Sequence, residues 1–355
     1  MTNILATSEK ELDSISQLLE KKIPTYRQAY SDRTAWVMAC MSELAYIKFN
    51  PLLNDRKKAM LFDRVSTILK ENDSKLLTKI LDSLSYDHEQ EKKNLEETLD
   101  CIDMVLLKTF DHNGSQAILV MSRKTNMLVL AFRGTEADSF TDIKADANGK
   151  VTACDSGGNV HSGFKKAYEE ISLTIESEIN DEKYSGIPLF ITGHSLGGAL
   201  ATIAAKKLKH KAGVAACYTY GSPRVGDEEW IRNIKTPIYR LVNAADSVTM
   251  LPPGGDTLLL IAWLIKFIPY VGKPLREWLM SNFNGYMHCG NMRYLTNCKN
   301  AQYENVKLFY SVSFFYRIKG VIFKNVPWKK LLADHSISVY RKKTSFIAQR
   351  RNNIK

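Results

Sequence analysis

Apolar positions along this chain follow two different periods, and the change of period divides it. Ile15, Leu18 and Leu19 fall at helical spacing and predict a helix over Ser8–Lys22. Arg33–Phe49 is a mostly apolar helical run, stopped by Asn50-Pro51. From Leu52 to Leu99 the pattern stays helical but is heavily charged, with one stripe at Leu61, Phe62, Val65, Ile68 and Leu69 and another at Leu76, Leu77, Ile80, Leu81 and Leu84. This predicts an inserted helical hairpin or cap over residues 52–100. After Cys101 short β-branched runs take over. Gln116–Ser122 and Met127–Phe132 read as a hairpin, and Ile187–Thr192, Val214–Tyr220 and Ile238–Val242 read as buried strands. Helical patterns at Phe164–Ile179 and Leu196–His210 separate them, with Gly213 placed to end the second. Strands alternating with helices predict an α/β fold with a mostly parallel central sheet.

Composition sharpens this picture in one respect. The chain has 355 residues, 45% hydrophobic and 25% charged, as a globular protein does. Its net charge of +11 is unevenly spread. Residues 257–355 hold 17 Lys/Arg against only Glu277, Glu304 and Asp334, while the first 256 residues balance to −3. The residues from Arg341 to Lys355 therefore read as a basic tail, either solvated or attracted to anionic lipid. Nucleic acid is not an expected partner, because no recognition motif accompanies the charge. The six cysteines show no metal-ligand spacing and are expected as buried free thiols. Met1–Gln17 has neither a basic n-region nor an apolar h-region. The expected location is the cytoplasm, or outside it by a route that reads no signal peptide.

The sharpest local feature is Gly193-His194-Ser195-Leu196-Gly197, with a strand before it and an Ala-rich helix after it. A serine in so tight a strand-to-helix turn takes a strained backbone angle, and close neighbours must lack side chains. The turn lifts Oγ clear of the sheet. It also leaves the following N–H groups at a helix N-terminus, where an oxyanion is stabilised. Such a serine needs a base and an acid, in the order Ser, Asp/Glu, His. Asp246 lies just past the strand Tyr239–Asn243, with Asp256, Asp227 and Glu228 as rivals. Of seven histidines, only His288 and His335 follow both serine and acid. His335 sits in a polar loop from which it could swing to a serine, and is the preferred base.

Taken together, Ala131-Phe132-Arg133-Gly134-Thr135, Val160-His161-Ser162-Gly163-Phe164, Thr192–Ala199, Tyr220–Gly226, Asn243 with Asp246, Leu251-Pro252-Pro253 and Asp334-His335 resemble the class 3 lipases. The resemblance covers roughly residues 33–50 and 115–340. It implies an α/β-hydrolase fold, one domain over residues 1–355, with helices flanking the sheet. It further implies hydrolysis of an ester in acylglycerols or phospholipids, with Ser195, Asp246 and His335 catalytic. It assigns the oxyanion donors to Leu196 and Thr135 and makes His288 and His161 structural. No metal or cofactor is expected; Asp138, Asp142, Asp146 and Asn148 lack calcium-loop spacing.

Two stretches depart from the compact family pattern: residues 52–100, and the stretch between Asp246 and His335, which are 89 positions apart. The latter contains Thr257–Val271, whose uninterrupted apolar run Leu258–Ile265 is too short to span a bilayer. Residues 257–280 are expected either as a core helix or as a lid-like interfacial insertion, with Leu258, Trp263 and Phe267 near the substrate. The expected function is a lipolytic serine hydrolase, peripheral on membranes and acting on a lipid ester at an anionic surface. The competing readings are a catalytically inactive lipase-like scaffold and a soluble thioesterase or peptidase on the same fold.

Overall fold

A computed structural model describes residues 4–6, 8–20, 29–49, 87–134, 151–254, 258, 263, 265, 272–283, 285–298, 302–313, 316–317 and 333–353. Its strands are β1 (Met104–His112), β2 (Ser115–Ser122), β3 (Leu128–Phe132), β4 (Val151–Ala153), β5 (Asn159–His161), β6 (Leu189–His194), β7 (Val214–Tyr220), β8 (Ile238–Asn243), β9 (Asn291–Leu295) and β10 (Leu308–Phe309). The helices used below are α1 (Glu9–Leu19), α2 (Asp32–Leu44), α3 (His88–Asp100), α4 (Ser162–Ile179), α5 (Leu196–Lys207), α6 (Glu228–Arg232), α7 (Gly272–Phe283) and α8 (Ile337–Asn353).

Eight strands form one sheet in the order β1-β2-β3-β6-β7-β8-β9-β10. β3, β6, β7, β8 and β9 are mutually parallel, and the antiparallel members β1, β2 and β10 lie toward the edges. Parallel strands need crossover helices, and those helices cover both faces. Side chains alternate accordingly. Val129 and Ala131 of β3 join the cluster that contains α2 residues, whereas Leu128, Leu130 and Phe132 join the cluster that contains α4 and α5 residues. α2 is apolar nearly all round because it lies between the sheet and α8, so Trp36, Met38, Met41 and Leu44 are all buried. Each such side chain contributes about 1.5–3 kcal/mol by leaving water. α5 packs close to β6 and β7 through Gly197, Gly198, Ala199, Ala201 and Ala204.

The strands expected from the apolar runs are present with ends shifted by one or two residues, and helix α5 stops at Lys207 rather than His210. β1 and the β4–β5 hairpin were not anticipated. β1 reads MVLLKTFDH, an edge strand with weak alternation, so its sequence carries little period-two signal. Of the expected insertion at 52–100, residues 50–86 lie outside the described residues; its end forms α3, which buries Leu95, Thr98 and Leu99. Leu258 is buried beside Tyr286 and Met280, Trp263 is exposed, and Phe267 lies outside the described residues. Among the described residues no helix is long and apolar enough to cross a membrane. All described cysteines are free, but only Cys40, Cys154 and Cys217 are buried; Cys289 and Cys298 are half-buried and Cys101 is exposed.

The basic C-terminus requires correction. Residues 341–353 are not a solvated end: they form most of α8, packed on α2. Arg341 and Lys343 are buried. Arg341 pairs with Glu43 and donates to the Leu5 carbonyl at 2.8 Å. Lys343 Nζ donates to Asn243 Oδ1 at 2.6 Å and to the Thr296 carbonyl at 2.9 Å. Arg350 donates to the carbonyls of Glu304 and Val306, and Arg351 pairs with Asp32 at 2.8 Å. The acidic partners come from α2, some 300 positions away in sequence, which a local charge count does not reveal.

Candidate active site

Ser195 occupies the turn between β6 and α5 with φ 57° and ψ −126°, in the left-handed half of backbone space. Sterics explain the surrounding glycines. A Cβ on Gly193 would lie 2.1 Å from the Gly197 carbonyl oxygen, and one on Gly197 would lie 2.3 Å from the Phe132 carbonyl oxygen. Both obstacles are backbone, so neither can swing aside. The Ser195 N–H donates to the Tyr220 carbonyl at 2.9 Å, which pins the turn to β7. Leu196 begins α5, so its N–H lies in the first turn, where the helix has no carbonyl to offer it.

β8 ends at Asn243, and Asp246 follows in a short turn, fully buried. His335 Nε2 is 2.9 Å from Ser195 Oγ, and its Nδ1 is 3.0 Å from each carboxylate oxygen of Asp246. This contact fixes the tautomer: Nδ1 carries the hydrogen and donates to the carboxylate, leaving the Nε2 lone pair for the serine hydroxyl. Asp246 Oδ1 also accepts the Val248 N–H at 3.0 Å, and Oδ2 accepts the Tyr340 hydroxyl at 2.6 Å. Gly221, at φ 58°, passes so close that a Cβ there would stand 2.7 Å from Asp246 Oδ2 and 2.9 Å from His335 Nδ1. Ser195 and Asp246 have no exposed surface and His335 is 6% exposed, so the group is dry and its electrostatic interactions are strong.

The rival residues lie elsewhere. Asp227 caps α6 through the Trp230 N–H and holds Asn159, Glu228 pairs with Arg232, and Asp256 lies outside the described residues. His288 Nε2 donates to the Thr249 carbonyl at 2.6 Å, and His161 caps α4 at the Phe164 N–H. Thr135 and the stretch Asp138–Asn148 lie outside the described residues. Among the described residues no group of His, Cys, Asp and Glu is arranged to hold a metal ion.

Several supporting side chains carried no motif of their own. Tyr340 lies one turn and a half beyond His335 on α8, and its hydroxyl both donates to Asp246 and accepts the Asn243 N–H at 2.9 Å. Burial, then the Asp246 charge, push its own ionisation far above the usual phenol range. Asn243 Nδ2 donates to the Asp334 carbonyl at 2.7 Å, tying the end of β8 to the histidine segment. Arg317 Nη2 donates to the Asp246 carbonyl at 3.1 Å. His194 points away from Oγ, as its place beside Ser195 requires, and takes a different role. Its Nε2 donates to the His335 carbonyl at 2.6 Å, so its Nδ1 accepts the Tyr46 hydroxyl at 2.8 Å. Burial, reinforced by His335, keeps it well below the usual histidine range and therefore neutral. The only local sign of these partners is a polar or aromatic residue in a buried run, which core packing produces equally often.

Residues 129–255 match the family model described as Lipase (class 3), which bears out the resemblance read from the motif blocks. The matched segment includes Ser195 and Asp246 and ends before His335. A secreted mono- and diacylglycerol lipase of Fusarium solani is 40% identical over 108 residues, covering 28% of this chain and 32% of that protein. A lipase of Rhizomucor miehei is 30% identical over 176 residues, covering 44% of this chain and 48% of that protein. The chain thus spans about a third to about half of the length of these curated relatives. Among solved structures, a mutant form of MDLA from Penicillium cyclopium superposes with a TM-score of 0.52 at 18% identity, covering 95% of this chain and 100% of that one. Lipase II from Rhizopus niveus does so with 0.50 at 18% identity, covering 86% and 94%. The chain has the α/β-hydrolase fold.

Proposed function

We propose that this protein is a lipolytic serine hydrolase that cleaves carboxylic esters of acylglycerols or membrane phospholipids, with Ser195 as nucleophile, His335 as base and Asp246 as acid. The reading rests on one observation: a continuous hydrogen-bonded chain from Ser195 Oγ through His335 to Asp246, built on a strained strand-to-helix turn. His335 Nε2 takes the hydroxyl proton as Oγ attacks the ester carbonyl. The imidazolium so formed is stabilised by Asp246, whose charge is spread over bonds from His335, Val248 and Tyr340. The oxyanion forms against the Leu196 N–H at the start of α5, with Thr135 as the second donor that the family resemblance assigns. His335 then returns the proton to the leaving alcohol, and water repeats the sequence on the acyl-enzyme.

The names of the relatives favour acylglycerol esters, and the aromatic residues Trp263 and Trp278, both exposed, favour contact with a lipid surface. The deciding experiment incubates the purified protein and its Ser195→Ala variant with mixed phospholipids and acylglycerols and resolves the products by mass. Release of fatty acid by the wild type, reduced by about 10⁴-fold or more in the variant, is the expected result. Equal release by both proteins would overturn the mechanism. A wild type inert on every ester would favour the scaffold reading, and cleavage of thioesters or peptides alone would favour the third.

A further inference from the structure

The loop that carries Asp246 is gripped by basic side chains. Arg224 Nη1 donates to the carbonyls of Met250 and, at 2.7 Å, Pro252. Arg317 Nη2 donates to the Asp246 carbonyl and to Thr249 Oγ1, and His288 holds the Thr249 carbonyl. Arg240 lies in the middle of β8. Arg240 is 7% exposed and Arg317 5%.

Arg224 and Arg317 hold the same loop, and Arg240 feels the charge of both. Burial, then Arg317 and Arg224, push Arg240 down to about 9, and burial, then Arg317, push Arg224 down to about 10. An arginine keeps its proton at any working pH, so this cost falls on the fold and is not relieved by titration. Among the described residues, Arg240 Nε and Nη1 and Arg317 Nε are buried without a hydrogen-bond partner. Asp246 is the acidic neighbour of Arg317, and its oxygens already accept from His335, Val248 and Tyr340. Surplus positive charge and orphaned donors, each expensive alone, therefore coincide in one buried place.

We propose that this arginine cluster is an internal binding site for a small inorganic anion of halide size, held by Arg240 and Arg317 and bracing the 246–252 loop. The burial of both side chains restricts the ligand to a small ion, since a lipid headgroup requires an open surface. The site stands apart from ester hydrolysis, and its test needs no substrate.

The full-length protein is dialysed into sodium gluconate and titrated with sodium chloride or bromide at constant ionic strength, which removes general screening. The melting temperature rises saturably, by roughly 4 °C once the halide reaches about 100 times its dissociation constant. Crystals soaked in bromide show an anomalous peak within hydrogen-bond distance of the Arg240 and Arg317 guanidinium groups. Arg240→Met abolishes the saturable rise. If that variant does not fold, the wild-type titration and the bromide peak decide alone. A wild-type melting temperature indifferent to halide, a bromide peak found only elsewhere, or an unchanged titration in Arg240→Met would each overturn the proposal.

Discussion

Ser195 is held by backbone sterics, whereas His335 and Asp246 are held by side chains from widely separated segments. Around the serine, Gly193 and Gly197 leave no room for a Cβ, and the Tyr220 carbonyl fixes the turn. Around the histidine and the acid stand His194 from the elbow, Asn243 from β8, Arg317, and Tyr340 from α8, which itself rests on α2 through Arg341 and Glu43. The difference teaches where each half is vulnerable. A steric frame is local and fails by not forming. A hydrogen-bonded frame is distributed, so it loses chemistry one bond at a time while the fold persists.

Substitutions on the two sides should separate these modes of failure. Among folded variants of the hydrogen-bonded frame, the largest effect is expected from Asp246→Asn, which keeps the shape but disturbs the His335 tautomer: kcat on a soluble ester falls about 10⁴-fold with the thermal transition retained. A loss below tenfold would remove Asp246 from the mechanism. Gly197→Ala attacks the steric frame. Its Cβ meets the Phe132 carbonyl at 2.3 Å, so stability drops by about 3 kcal/mol or more in denaturant unfolding, and activity disappears with the fold. Arg341→Met leaves Glu43 charged and nearly buried, at a cost of about 3 kcal/mol. The double variant with Glu43→Gln recovers much of that loss, and kcat per folded molecule stays unchanged. Failure of the double variant to recover would mean that α8 is not anchored by this pair.

Acidity probes the histidine side as a whole. Burial, then His335, hold His194 well below 6.5, and burial, then Arg240 and Arg224, do the same for His288. Their folded values are depressed, so below about pH 6.5 the unfolded chain binds two protons that the folded chain refuses. Stability is therefore complete above that pH and falls on acidification by about 2.7 kcal/mol per pH unit from these two groups. Urea unfolding across pH 5–7 measures the slope, and His288→Gln should halve it; an undiminished slope would show that His288 is charged in the fold. The smallest effect belongs to Tyr340→Phe. It removes one of the bonds to Asp246 and lowers kcat about tenfold with KM unchanged. A rise in KM alone would assign Tyr340 to packing.

How much of this was legible follows the same division. The Ser195 turn can be read from five consecutive residues, because its geometry excludes every alternative at two of them. Asp246 can be located by its position after a strand whose apolar run is unmistakable. Order along the chain left both His288 and His335, and only the polar loop around His335 favoured it; the structure puts His288 on the Thr249 carbonyl. Tyr340 and Arg317 left no trace, because a tyrosine or arginine that reaches a carboxylate loop looks the same in sequence as one that does not. The basic C-terminus misled for a related reason. The partners of its charges, Glu43 and Asp32, lie on α2, far from it along the chain.

By itself, the sequence determined the alternation of strands and helices, the two-sided burial of the central strands and the glycine-bounded serine turn. Each depends on interactions within a few residues: side-chain period, backbone conformation and the space a Cβ occupies. Which distant side chains reach Asp246, and the packing of α8 on α2, come only from the folded chain. Those outcomes depend on which surfaces chain closure brings within a few ångströms. Hydrogen bonds and charges act over that range without regard to separation along the chain.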